Sequence, residues 1–213
     1  MITTRIGSAP MQQLRPGLWT WTAAHPAWTE DEGGPEGWDR VVRSYAYDSG
    51  PCLLLLDPLA PPSLLEGLVE SKDVAVVLTE HCHVRSAADC VERFGATVHA
   101  PKAGLPKLSL PAHGYEQGEA LPGGVVAQLA CYAIETILWI PAVRAIVVGD
   151  AIVGGEQGPH VQPSSWMIED MTPESFRDRL QPLLDLPIEL VLLTHGDPIV
   201  DDARETLRRM LDR

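Results

Sequence analysis

The stretch Leu78-Thr79-Glu80-His81-Cys82-His83-Val84-Arg85-Ser86 decides the fold of this chain. It closes the apolar run of residues 74–78, whose length and β-branched side chains predict a buried strand. His81 and His83 are one residue apart, so on an extended segment both imidazoles would project to the same side and could reach one ion. The stretch therefore predicts a strand that ends in a metal-binding cluster.

The bulk composition limits the class of protein. With 213 residues the chain can build one sizeable core, and we predict a single domain over residues 1–213. Its formal net charge of -13 repels phosphate backbones and anionic lipid surfaces, so neither nucleic acid nor membrane is expected as a partner. The expected partner is a small-molecule ligand, and a homodimer is the form of self-association that the sequence leaves open.

The N-terminus and the cysteines bear on the compartment. Residues 1–6 lack the apolar core of a signal peptide, and no run has the length of a membrane span, which predicts a cytoplasmic protein. The four cysteines include no CxxC pair and are expected to be free thiols.

Strand and helix patterns alternate along the chain. Helices are predicted over 61–71, over 86–94 with Gly95 as the stop signal, from the N-cap Thr172, and at the C-terminus. The polar segment 29–38 is predicted to be an exposed loop that could cover a cleft, and 101–118 shows no clear period. Strands and helices of these lengths predict a layered α/β arrangement.

Two later apolar runs also end in metal-capable side chains. The run 145–148 precedes Gly149 and Asp150, and the run 190–193 precedes Thr194 and His195. Polar residues at the ends of strands on one rim of a sheet are a common way to assemble a site from distant sequence. His25, His99, His113 and His160 are interpreted as structural or surface residues. The tryptophans Trp19, Trp21, Trp28 and Trp38 could line a cleft or pack in the core.

The order of these pieces resembles the metallo-β-lactamase-fold superfamily. It comprises a strand ending in Asp57-Pro58, a Thr-x-His-x-His segment, a helix closed by Phe-Gly-Ala, a Gly-Asp after a strand, and a late Thr-His-Gly, between about Leu53 and Asp197. The resemblance implies an α/β (α+β) protein, an αββα sandwich of two mixed sheets flanked by helices with its site at one edge. It also implies hydrolysis assisted by zinc or iron.

The resemblance further implies a set of site residues. The metal ligands would be His81, His83, Cys131, Asp150 and His195. Asp57 would lie behind them and orient a ligand histidine. Asp150 would also be available as general base.

This sequence departs from the family pattern after His83. Arg85 and Ser86 stand about where the family has an Asp-His pair, and arginine offers no lone pair to a metal. The spacing from Thr79 to Gly95 is also shorter than in the family pattern. A register slip of one residue would make Cys82 a ligand in place of His81 or His83.

Two functions follow from this mixture of retained and lost ligands. One is hydrolysis of a small anionic substrate with one ion at most, zinc or iron, where Arg85 binds a carboxylate or phosphate. The alternative is a metal-free pseudoenzyme that acts as a ligand-binding or interaction module.

Overall fold

The structure is a computed structural model that describes residues 9–34, 37–168 and 171–213. The prediction made for residues 1–6, and positions 35 and 36 of the predicted loop, lie outside the described residues.

Two sheets contain most of the strands. The first has seven strands in chain order, antiparallel from β1 to β4 and parallel from β4 to β7. They are β1 Gln12–Arg15, β2 Leu18–Ala24, β3 Val41–Asp48, β4 Cys52–Leu56, β5 Asp73–Val77, β6 Thr97–Pro101 and β7 His113–Tyr115. The second sheet has the order β13-β10-β9-β8. Its strands are β8 Val126–Tyr132, β9 Glu135–Ile140, β10 Ala145–Val148 and β13 Leu190–Leu193, and β11 Ile152–Val153 pairs with β12 His160–Val161.

The described residues form three α-helices, which lie where the sequence predicts them. They are α1 Ala87–Phe94, α2 Pro173–Leu180 and α3 Ala203–Leu211. The C-cap of α1 is Gly95 in the left-handed conformation, and the Thr172 hydroxyl caps α2, as predicted. The helix predicted over 61–71 is wrong, since that region holds only the 3-10 turn Ser63–Gly67. The turn ends at Gly67, and glycine disfavours the continuation of a helix.

Three apolar clusters separate four layers. One lies between the sheets and joins residues such as Leu56 and Val77 to Leu138 and Val147. A second packs α1 on the outer face of the first sheet, and a third packs α2 and α3 on the outer face of the second. The order α, β, β, α confirms the predicted sandwich of two sheets flanked by helices.

No helix in the described part of the chain combines the length and the apolar character needed to cross a bilayer.

Candidate metal and substrate site

The segment that carries His81 and His83 is a turn, whereas an extended segment was predicted. β5 ends at Val77, and His81–Val84 form a 3-10 turn. With three residues per turn, side chains two positions apart point in different directions. The expectation that His81 and His83 project to the same side was therefore wrong.

His83 is the anchor of the site. Its ring is buried, with Nδ1 3.0 Å from Oδ2 of Asp57 and Nε2 3.1 Å from Oδ1 of Asp150. Asp57 is held in turn by Thr79, which donates its backbone N–H at 2.8 Å and its hydroxyl at 2.5 Å. A carboxylate behind one ring nitrogen fixes the orientation of the other, as is usual for a metal-bound histidine.

His195 approaches the same oxygen as His83. β10 and β13 are adjacent and parallel, so their carboxyl ends bring Asp150 and His195 to one edge of the second sheet. His195 Nε2 lies 3.2 Å from Asp150 Oδ1. This Oδ1 is buried. Two imidazole nitrogens thus converge on one buried carboxylate oxygen.

Cys82, which follows His81, completes the group. In the described part of the chain, ligand atoms of Cys82, His83 and Asp150 all lie within 4.8 Å of one another. His81 is not brought to them: its Nδ1 is 3.7 Å from a Glu80 oxygen, and its Cβ packs against Gly104. The register with Cys82 in place of His81, left open by the sequence, is thus the one that forms a group of potential ligands.

Cys131 is placed elsewhere. It is fully buried in the apolar cluster between the second sheet and its helices, and its carbonyl accepts a hydrogen bond from Arg179 at 2.6 Å. A β-bulge between Ala130 and Tyr132 interrupts the alternation of side chains along β8 at this point. The structure therefore does not bring Cys131 to the other predicted ligands.

Two further carboxyl groups, those of Glu80 and Glu135, lie beside the group and were not predicted as site residues. Glu135 is fully buried at the start of β9, where Oε1 accepts the Ala151 N–H at 2.8 Å, and its backbone pairs with that of Glu80 in an isolated bridge. Burial, then Asp150, raise the pKa of both carboxyls, and Glu80 further raises the pKa of Glu135. The sequence signal for Glu135 is a charged residue at the start of the otherwise apolar run that forms β9.

The carboxylates around His83 control its charge. Burial and Arg85 would lower the pKa of His83, but Asp150 and Asp57 outweigh them and raise it to about 10. Burial would raise the pKa of Asp150, but His83 and His195 hold it well below its usual value. Without an ion, His83 is therefore a cation between two carboxylates.

A cavity of about 260 Å³ opens over this group. The loop between β2 and β3 supplies two of its walls, His25 and Trp38, whose rings meet edge to face at 5.0 Å. Trp38 and Trp166 lie edge-on to the His195 ring, at 5.6 and 5.9 Å between centroids. His25, interpreted from the sequence as a structural or surface residue, lies on the cavity wall because of the path of this loop. Trp21, by contrast, is in the core.

Arg85 brings a fixed positive charge to the cavity wall. Its Nη1 donates to the carbonyls of Asp57 at 3.0 Å and Arg43 at 3.3 Å, which fixes the guanidinium. Its Nε is buried and has no hydrogen-bond partner among the described residues. The cavity therefore combines metal-capable groups, an arginine and apolar ring edges.

No protein-family model matches the sequence, and no curated protein matches it either. Solved structures do match. The DIM-1 metallo-β-lactamase is 11% identical with a TM-score of 0.67, over 97% of this chain and 98% of that chain. A metallo-β-lactamase from Hirschia baltica is 15% identical with a TM-score of 0.62, over 95% of this chain and 96% of that chain. TTHA1623, solved in a di-iron-bound form, is 23% identical with a TM-score of 0.61, over 84% of this chain and 96% of that chain.

These likenesses extend over most of the chain, and they agree with the order of motifs in the sequence and with the four layers of the structure. The chain therefore has the fold of the metallo-β-lactamase superfamily.

Proposed function

We propose that this chain is a metal-dependent hydrolase with one ion at most, held by Cys82, His83, Asp150 and His195. The observation that carries the proposal is the convergence of His83 Nε2 and His195 Nε2 on one buried Asp150 oxygen, at 3.1 and 3.2 Å. Ligand atoms that share a tetrahedral ion at about 2.0–2.1 Å lie roughly 3.3 Å apart. These distances therefore support a shared ion.

The chemistry of the donors fits zinc or iron. A thiol, two imidazoles and a carboxylate match the preferences of both metals. A bound ion would supply Lewis acidity and lower the pKa of water in the site. Asp57 would keep His83 Nε2 directed toward the ion through the contact at 3.0 Å.

Arg85 would select the substrate. Its guanidinium is anchored by two backbone carbonyls, so binding a carboxylate or phosphate there requires little further ordering of the side chain. The cavity of about 260 Å³ and its indole walls favour a small substrate with an apolar part. A substrate held by Arg85 would lie directly over the ligand group.

Asp150 is better suited to bind metal than to accept a proton. A carboxylate whose pKa is held well below the usual value is a weak general base at neutral pH. The role of Asp150 as general base stays a prediction, and the role of ligand is the one proposed here.

Metal content tests the proposal first. Protein purified without a tag or chelator and then equilibrated with zinc should retain about one ion per chain in the cavity, and His83→Gln should remove it. His160→Gln is the matched control, because this exposed histidine lies outside the cavity. Less than about 0.1 ion per chain in the cavity of both the unaltered protein and His160→Gln would contradict the hydrolase and leave only the metal-free binding module.

Substrate class is tested with paired compounds. Small esters, thioesters and lactones that carry a carboxylate should be hydrolysed faster than their uncharged counterparts. Arg85→Gln should lower the ratio of the two hydrolysis rates by about tenfold or more, since the guanidinium is the fixed cation at the cavity. Equal rates for charged and uncharged compounds in the unaltered protein would contradict the role of Arg85.

A further inference from the structure

A row of side chains runs across the first sheet and ends in two histidines. The strand registers align Tyr45, Leu56, Val77, His99 and His113 on β3 to β7. Tyr45, Leu56 and Val77 lie in the cluster between the sheets, whereas His99 is half-buried and His113 is exposed. The row thus leaves the core at the edge strand, where it presents two imidazoles side by side.

We propose that His99 and His113 form a surface binding site for a divalent transition-metal cation such as Ni²⁺, Cu²⁺ or Zn²⁺. Their ring centroids are 5.2 Å apart and the ring planes differ by 29°. Two imidazoles bound to one tetrahedral ion at about 2.0–2.1 Å have ring centres roughly 5 Å apart. The strand pairing already holds the two rings at the separation that a shared ion requires.

The surroundings keep these ligands available. His113 is exposed, so an ion can reach the pair from solvent. Thr97 Oγ1 lies 3.3 Å from His99 Nε2, a contact that helps to orient the ring. The nearby charges of Lys102 and Glu116 pair with each other at 3.4 Å, and the net charge of -13 attracts cations.

This site is independent of the cavity. None of its residues lines the cavity over His83 and Asp150. β7 has three residues and pairs with β6 alone in the described part of the chain, so an ion held by both histidines would tie the edge strand to its neighbour. Binding at this site would therefore stabilise the folded chain whether or not the cavity holds a metal.

Copper titration tests the proposal on the full chain. With one equivalent of Cu²⁺ beyond the cavity's content, electron paramagnetic resonance should report two imidazole nitrogens. His113→Gln and His99→Gln should each weaken this binding by at least about tenfold. His160→Gln, the matched control, should leave it unchanged.

The two metal sites are separated by counting ions. His113→Gln should remove one ion per chain under excess metal and leave the ion that depends on His83. If His113→Gln and His99→Gln bind copper as the unaltered protein does, or if only one of them matters, the paired site is wrong. If the cavity of the unaltered protein holds no metal while the histidine pair still binds copper, the proposed function is wrong and this site is supported.

Discussion

Asp57 shows how one buried side chain controls the candidate metal site. It faces His83 Nδ1 at 3.0 Å and accepts two hydrogen bonds from Thr79. Its φ of 45° is a conformation that aspartate and asparagine adopt more readily than most residues. Asp57→Asn therefore removes the charge with little change in backbone or volume.

We expect Asp57→Asn to weaken metal binding by about 10–100-fold, because the amide no longer orients and polarises the His83 ring. The measurement is competition for zinc against a chromogenic chelator at fixed pH. Thr194→Val is a suitable control, since its hydroxyl makes only a 3.4 Å contact with the same carboxylate. Equal zinc affinities for Asp57→Asn and the unaltered protein would show that His83 is not a ligand.

Cys82 and Cys131 form a matched pair for a second prediction. Cys82 is exposed and belongs to the ligand group, whereas Cys131 is fully buried in an apolar cluster. Cys82→Ser should lower zinc retention with little change in stability. Cys131→Ser should keep the zinc but lower the free energy of unfolding by about 1–3 kcal/mol, because it buries a hydroxyl. Zinc analysis and urea unfolding of both variants measure this contrast, and the reverse pattern would restore Cys131 as the third ligand.

The same residues show what a sequence can and cannot predict about this site. Motif order predicted that Asp57, His83, Asp150 and His195 lie together, and they do so because each follows a strand whose buried run is visible in the sequence. The choice between His81 and Cys82 depends on whether the chain is extended or forms a 3-10 turn after β5. Four residues are too few for a hydrophobic periodicity to distinguish these two conformations.

At the scale of elements, caps and bulges explain which predictions held. The stop signal at Gly95 and the N-cap at Thr172 act locally, so the ends of α1 and α2 could be read from sequence. The bulges in β8 depend on pairing with β9 and shift the alternation of side chains that a count along the sequence assumes. The position of Cys131 in the core is the consequence.

Gly95 allows the cap of α1 to be tested. Its φ is 65°, and a Cβ added there would meet nothing within 4 Å, so Gly95→Ala would change only the conformational energy. We expect a loss of about 1–2 kcal/mol in the free energy of unfolding, measured with urea. Gly67→Ala is the control, because that site is also open but lacks a left-handed φ, and it should be neutral or slightly stabilising. Equal effects of the two substitutions would contradict the capping argument.

At the scale of the whole molecule, the buried charges make stability depend on pH. The pKa of His83 is raised to about 10, so its contribution to stability is fully present below the unfolded value of 6.5 and is lost as the pH rises through about 10. Glu80 and Glu135 act in the same direction, since their raised pKa values mean that the unfolded chain ionises first. The depressed pKa values of Asp57 and Asp150 add stability that is lost only in acid.

The metal-free protein should therefore unfold at progressively lower temperature as the pH rises from about 6.5 to 10. Zinc-loaded protein should respond in the opposite sense at first, because the ion competes with protons for His83 and Cys82. The difference in Tm between the two forms should widen across this range, as measured by calorimetry with and without zinc. In Asp57→Asn, which removes one of the two carboxylates that raise the pKa of His83, the metal-free decline should be smaller and should end at lower pH. A constant difference between zinc-loaded and metal-free protein at every pH would mean that no titrating group of the cavity binds the ion.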